Sequence, residues 1–335
     1  MVFPDKDWTE ASPKSQGLDA ARLAEAMAVI GEIAGPQGNS QSLAVRNGYL
    51  IWKGPNIDEL HPVWSCSKSY CSAALGLLID DGKITLDTPL SDILPDMKRH
   101  YDGVTVRTFA SFQAGYERGP HNPLDAAPPA FKPGEYFRYD WSPDKLAHAL
   151  TVVAGEPLRE LFRRRIADPI GMDPRQWTWG DWGTWDGLPV NGGSGSVPGG
   201  VSITARQMAR FGHLLLNQGR WDGKQLLSAE YVAEATRPQT PASLPPFDPE
   251  GWYVKLPGAY GLLFWVNGVC PTGQRRWPNA PAGVFVVQGN FNNFCFVIPE
   301  WNMILLRAGT DARIDNDLYD GVFVKMRQAL IGPAA

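Results

Sequence analysis

From Ser65 to residue 79 the chain reads SCSKSYCSAALGLLI, a run of small and apolar positions in which Lys68 is the one charged residue. That length and composition predict a helix apolar on every side, and such a helix is buried. Asp80-Asp81-Gly82 ends it, with Gly82 suited to the position just past the C-terminus. Upstream, residues 18–34 (LDAARLAEAMAVIGEIA) carry apolar residues at helical spacing and stop at Gly35-Pro36. Residues 42–45 and 49–53 are strand-like runs on either side of Asn47-Gly48, a strong two-residue hairpin signal.

After KITLDTPLSDILP, a turn-rich link, residues 144–154, 158–167 and 204–217 read as helices among long loops. Residues 185–200 are Gly-rich and are expected to be irregular. Strand character returns at 283–288, 294–298 and 303–307, and a helix over 318–331 closes the chain. The order predicts an α/β lobe built from both chain ends, residues 1–90 with 245–335. A helical lobe with long loops, residues 91–244, would be inserted between them. No internal repeat or low-complexity tract is visible.

Composition narrows the function classes. The 335 residues exceed one average domain but fit one domain with an inserted lobe. A hydrophobic share of 44% and a charged share of 20% are an ordinary globular balance. The net charge of -4 argues against nucleic acid or an anionic membrane surface as the main partner. No run reaches transmembrane length. The opening MVFPDKDWTEAS shows no signal peptide, which favours the cytoplasm for the chain as it stands. Removal of an export signal would instead make it periplasmic or secreted. Oligomeric state stays open.

The cysteines, Cys66, Cys71, Cys270 and Cys295, match neither a zinc motif nor CxxC. Cys66 and Cys71 read as small core residues, and a Cys270–Cys295 disulfide is left open. His61, His100, His121, His148 and His213 are scattered, with no HExxH or GxSxG context. No metal or other cofactor is expected.

Lys68 carries the chemical argument. A buried lysine is costly unless paired or neutral. Positions three apart share a helix face, so Lys68 can sit beside Ser65. A desolvated lysine beside a serine hydroxyl is one way to make the serine nucleophilic. The competing reading is that Ser65 caps the helix and Lys68 reaches out to water, and local sequence leaves both open. A second SxxK, Ser142-Pro143-Asp144-Lys145, reads better as a helix start: Ser142 as N-cap, Pro143 in the first turn, Asp144 favouring the dipole.

The rest of the chain separates the two readings of Ser65. Ser65-Cys66-Ser67-Lys68 is followed by LLIDDGKITLDTPLSDILP, VTVRTFASFQAGY, KPGEYFRYD, DPIGM, GGVSITARQMARFGHLLLNQGRWDGKQLLS and GNFNNFCFVIPEWNMILL. In content and order these stretches resemble the serine β-lactamase and penicillin-binding-protein-like hydrolases. The likeness is to the class C β-lactamase and esterase branch, which includes 6-aminohexanoate-dimer hydrolases. It implies a β-lactamase-like α/β (α+β) fold, an antiparallel sheet flanked by helices with an inserted, mostly helical lobe. It also implies a small-molecule ester or amide substrate.

Position by position, the resemblance makes Ser65 the acylated nucleophile and Lys68 its proton acceptor. Tyr139, in Tyr139-Asp140-Trp141, falls at the tyrosine of the family's YxN motif and would be a second general acid/base. Val287-Gln288-Gly289 falls where many members carry Lys-Thr-Gly. Gly289 would allow close backbone approach, the N–H groups of Asn290 and Ser65 would form an oxyanion hole, and Gln288 would line the cleft. Two departures stand out: Trp141 replaces the asparagine of YxN, and the basic residue of Lys-Thr-Gly is absent. Both argue against efficient β-lactam hydrolysis and towards an ester or non-lactam amide, with Arg138, Arg275 and Arg276 as candidates to restore positive charge. β-Lactamase, D-peptidase or penicillin-binding activity and a non-catalytic scaffold stay as alternatives. Trp177, Trp179, Trp182 and Trp185 read as packing residues first and as a cleft wall second.

Overall fold

In the computed structural model the described residues are 1–33, 35–119, 124–196, 198–312 and 316–331; His121 lies outside them. Six strands form one antiparallel sheet. Their spatial order is Trp265–Val266, Phe285–Gly289, Asn293–Ile298, Met303–Arg307, Ser42–Arg46, Tyr49–Lys53. The early hairpin therefore joins the late strands, with Leu43 opposite Leu306 and Val45 opposite Ile304.

Alternation along these strands separates two cores. Leu43, Val45, Val287, Cys295, Val297, Ile304 and Leu306 face the larger core, shared with helices Ser67–Asp80 and Ala205–Leu216. Ala44, Val286, Phe294, Phe296, Met303 and Leu305 face the other, beneath helices Ala20–Ile33 and Asn316–Ala329. Burial on both faces explains why these strands read as continuous apolar runs.

The local signals account for the element ends. Asn47 and Gly48 have φ of 54° and 86°, the left-handed values that a two-residue hairpin turn needs. Helix Ser67–Asp80 is buried from Ser67 to Leu78. It stops at Gly82, φ 67°, where the N–H of Lys83 donates to the Leu78 carbonyl at 3.0 Å. Its serines are not idle in the core, since Ser69 and Ser72 donate to the carbonyls of Leu263 and Leu262.

Three expectations change, and the open question of a Cys270–Cys295 disulfide closes. Residues 185–200 are not irregular throughout, because Leu188–Asn191 pairs with Asp181–Trp185 around Asp186-Gly187. Those turn residues have φ of 45° and 78°, so this is the same type of turn signal as at Asn47-Gly48, masked by the surrounding glycines. The helix over 158–167 is regular only at Leu158–Phe162 and widens to a π turn at Arg163–Ala167. Ser142 opens its helix but does not cap it; Asp140 Oδ1 accepts the Ser142 N–H at 2.7 Å. All four cysteines are free, so Cys270 and Cys295 do not pair. Cys295 faces the larger core against Gly212, where a Cβ would fall 2.5 Å from its Sγ.

Close approach also demands glycine at Gly76, in helix Ser67–Asp80, where a Cβ would fall 2.3 Å from Tyr231 Cδ1. That ring is pinned by its hydroxyl, which donates to the Ser72 carbonyl at 2.7 Å. Gly76→Ala is expected to lower the melting temperature. Overpacking costs about 1–3 kcal/mol, against a helix-propensity gain of about 1 kcal/mol. Gly321→Ala, where nothing lies within 4 Å, should raise it. Thermal unfolding of the two variants checks the opposite signs.

Candidate active site

Ser65 lies in the single 3-10 turn Trp64–Cys66 that leads into helix Ser67–Asp80. Lys68 is 3% exposed, so it does not reach out to water. Its Nζ donates to Ser65 Oγ at 3.0 Å and to the Ser194 carbonyl at 2.6 Å. The Tyr139 ring lies beneath the ammonium, 4.7 Å from Nζ to centroid, and stacks on Trp265. The Lys68–Tyr139 contact is thus ring face to cation. Two oxygens and an aromatic face meet the needs of a buried cation.

Ser194 was not singled out by the sequence, and it completes this arrangement. Asp144 holds it twice, accepting from the Ser194 N–H at 2.7 Å and from Ser194 Oγ at 2.5 Å. The Asp144 side chain is fully buried and paired with Arg118 at 2.5 Å. The Arg118 guanidinium lies between the rings of Trp141 and Trp182, at 3.9 and 4.6 Å. Asp144 sits in the first turn of its helix, as a dipole partner would, but its carboxylate is directed to Ser194 and Arg118. The sequence could not show this, because residue 194 comes fifty positions later in a Gly-rich loop.

On the opposite side, strand Phe285–Gly289 ends against the Ser65 turn. A Cβ on Gly289 would fall 2.1 Å from the Val63 carbonyl oxygen and 3.0 Å from the Ser65 nitrogen. Only glycine permits that approach, and it brings Asn290 to the same cleft as Ser65. Gln288 also lines the cleft, and its Oε1 accepts from Arg276 Nη2 at 2.9 Å. Arg276 is wedged between Trp265 and Trp277, and burial lowers its guanidinium to about 9. Of the three candidate arginines, Arg276 thus stands behind Gln288, Arg138 lines the cleft and pairs with Glu117, and Arg275 donates to the Asn267 carbonyl.

The cleft has a volume of about 720 Å³. Trp141 stands at its mouth, 43% exposed. The tryptophan cluster takes the packing role read first for it: Trp177 and Trp179 are core residues, Trp182 backs Arg118, and Trp185 packs on His148. Trp64, Trp252, Trp265 and Phe291 line the cleft instead.

The second SxxK is built differently. Lys145 Nζ donates to the Leu124 carbonyl at 2.6 Å and reaches Asp96 at 3.3 Å, and neither contact involves Ser142. Among the described residues no group of His, Cys, Asp and Glu could hold a metal ion, and no helix is long and apolar enough to cross a membrane.

Comparison with known proteins gives the geometry a context. The Beta-lactamase family model matches residues 44–310. A 6-aminohexanoate-dimer hydrolase of Paenarthrobacter ureafaciens is 25% identical over 254 residues, 66% of this chain and 63% of that protein. The match therefore spans less than two thirds of that relative's length. A family VIII carboxylesterase superposes with a TM-score of 0.70 at 18% identity, covering 96% of this chain and 99% of the other. A penicillin-binding protein homolog from Caulobacter crescentus superposes with a TM-score of 0.70 at 17% identity, covering 94% and 99%. These two likenesses concern the fold. With the family model spanning most of the sequence, the chain belongs to the β-lactamase family.

Proposed function

We propose that this chain is a serine hydrolase that works through an acyl-enzyme on an ester or a non-lactam amide. The observation that carries the reading is the 3.0 Å contact from buried Lys68 Nζ to Ser65 Oγ. In this reading Lys68 reacts from its neutral amine form: Ser65 Oγ attacks the carbonyl carbon, its proton passes to Lys68 Nζ, and Tyr139 relays a proton on to the leaving group. The N–H groups of Ser65 and Asn290 receive the developing oxyanion. Protonation of the leaving group releases the first product, and water attacks the acyl-enzyme to regenerate Ser65. Trp141 and Gln288, standing where polar and basic groups bind β-lactams in relatives, favour esters and open-chain amides. The names of the curated relative and the carboxylesterase point the same way.

Asp144 takes a positioning role here, because the residue whose carbonyl accepts from Lys68 is fixed through its N–H and hydroxyl, both of which donate to the Asp144 carboxylate. Asp140, between Tyr139 and Trp141, has a different effect. Burial pushes its carboxyl up to about 6, against the opposing pull of the Ser142 N–H and Arg138. A carboxyl raised on folding is neutral by preference in the native state. Its ionisation therefore costs stability as pH rises from about 4 to about 6, and the cost is fully present above that.

A panel of a p-nitrophenyl ester, a D-amino-acid amide and nitrocefin should show ester or amide turnover well above nitrocefin turnover, lost in Ser65→Ala. Nitrocefin turnover equal to the ester rate would overturn the substrate preference. Lys68→Ala should abolish labelling of Ser65 by a fluorophosphonate probe, whereas Lys145→Met should keep it; equal loss in both would remove Lys68 from its role. Asp144→Ala should cost about 100-fold or more in kcat, the scale on which misplaced catalytic geometry acts, and Asp144→Asn should retain more activity. Asp140→Asn should be more stable than wild type by about 1–3 kcal/mol at pH 8, the gain shrinking to nothing near pH 4 in denaturant titrations.

A further inference from the structure

Trp64 and Phe291 have φ of 46° and 57°. That left-handed region suits glycine and asparagine, and for a bulky side chain it is a costly outlier. Each outlier is held in place from below. The Trp64 carbonyl accepts from the hydroxyl of fully buried Ser67 at 2.7 Å. Gly195 presses on the same carbonyl, where a Cβ would fall 1.9 Å from the oxygen. The Phe291 carbonyl accepts from Nη1 of fully buried Arg307 at 2.8 Å.

Turn geometry alone does not call for these aromatics. The loop from Gly289 to Asn293 needs left-handed backbone at residues 291 and 292, and Asn292 (φ 58°) supplies it with a side chain suited to it. At residue 291 a phenylalanine stands instead, 39% exposed. Its ring meets that of Trp64 at 4.4 Å between centroids, tilted by 48°. One ring precedes Ser65 and the other follows Asn290, so the pair flanks the place where a carbonyl would be attacked. Trp252, 59% exposed, lines the same cleft and sets its ring edge-on to Tyr139. Strain kept at a cleft, with large rings left in solvent, fits a surface that waits for a ligand.

We infer that Trp64 and Phe291 form a ring-binding subsite, so that the substrate of Ser65 is an ester or amide carrying an aromatic group beside its reacting carbonyl. The inference rests on the serine-hydrolase reading above. A substrate ring can meet these rings offset or edge-on, a gain that an aliphatic group of the same size does not obtain.

Two matched ester pairs test it, and each pair shares its leaving-group chemistry. Benzyl acetate against cyclohexylmethyl acetate probes the alcohol side, and methyl phenylacetate against methyl cyclohexylacetate probes the acyl side. The wild type is expected to prefer the aromatic member of one pair by about tenfold in kcat/KM, the scale of an aromatic contact beyond its area. Phe291→Asn and Trp64→Asn should each reduce that ratio to about twofold or less. Phe291→Asn should keep or raise the melting temperature, which separates ring binding from a structural role. Calorimetric titration of Ser65→Ala with the same esters should show the same preference without turnover. If the wild type neither turns over nor labels, the serine reading fails while calorimetry still decides the subsite. Equal affinity within both pairs, or a preference that survives both substitutions, overturns the inference.

Discussion

An ammonium group cannot be left in an apolar interior without acceptors, and the centre of this molecule is arranged around that requirement at Lys68. The lysine sits on a helix buried almost throughout, so its acceptors must come from elsewhere. One is the Ser65 hydroxyl, one turn back. The other is the Ser194 carbonyl, delivered by a loop. That carbonyl is in place because Asp144 grips both the N–H and the hydroxyl of Ser194. Asp144 can be buried because Arg118 neutralises it, and Arg118 is braced between Trp141 and Trp182. Charge satisfaction thus links the cleft-lining Trp141 to the lysine through a continuous chain of contacts.

The other half of the site is set by sterics. Gly289 lets a sheet strand run into the Ser65 turn with no side chain between. The strand is held at that depth by a sheet whose members come from both ends of the sequence and which is covered on both faces. The left-handed residues Trp64 and Phe291 lie at this junction, each anchored by a buried hydrogen-bond donor. A well-packed scaffold can sustain such local strain where an isolated loop could not.

Much of this is legible in the sequence. The Asn47-Gly48 hairpin, the helix stop at Gly82 and the apolar runs of the late strands rest on short-range rules, and they stand where those rules put them. Helical spacing permits the Ser65–Lys68 contact that the structure shows, and the motif order points to the β-lactamase family that the family model confirms. Less legible were features whose partners are distant in sequence. Local sequence makes Asp144 a dipole residue, whereas the fold surrounds it with Ser194 and Arg118, and of three candidate arginines the fold sets Arg276 against Gln288. The tryptophans closest together in sequence went to packing, while Trp64, Trp252 and Phe291, scattered along the chain, share the cleft.

The sequence by itself determined the early hairpin, the apolar helix with its lone lysine, the late strands and the family, because each is written in neighbouring residues through spacing, turn chemistry and motif order. Only the tertiary structure decided which oxygens satisfy that lysine, which strand end meets the serine and which rings face the cleft. Those outcomes depend on packing between segments tens to hundreds of residues apart, where burial and charge pairing, rather than local propensity, select the partner.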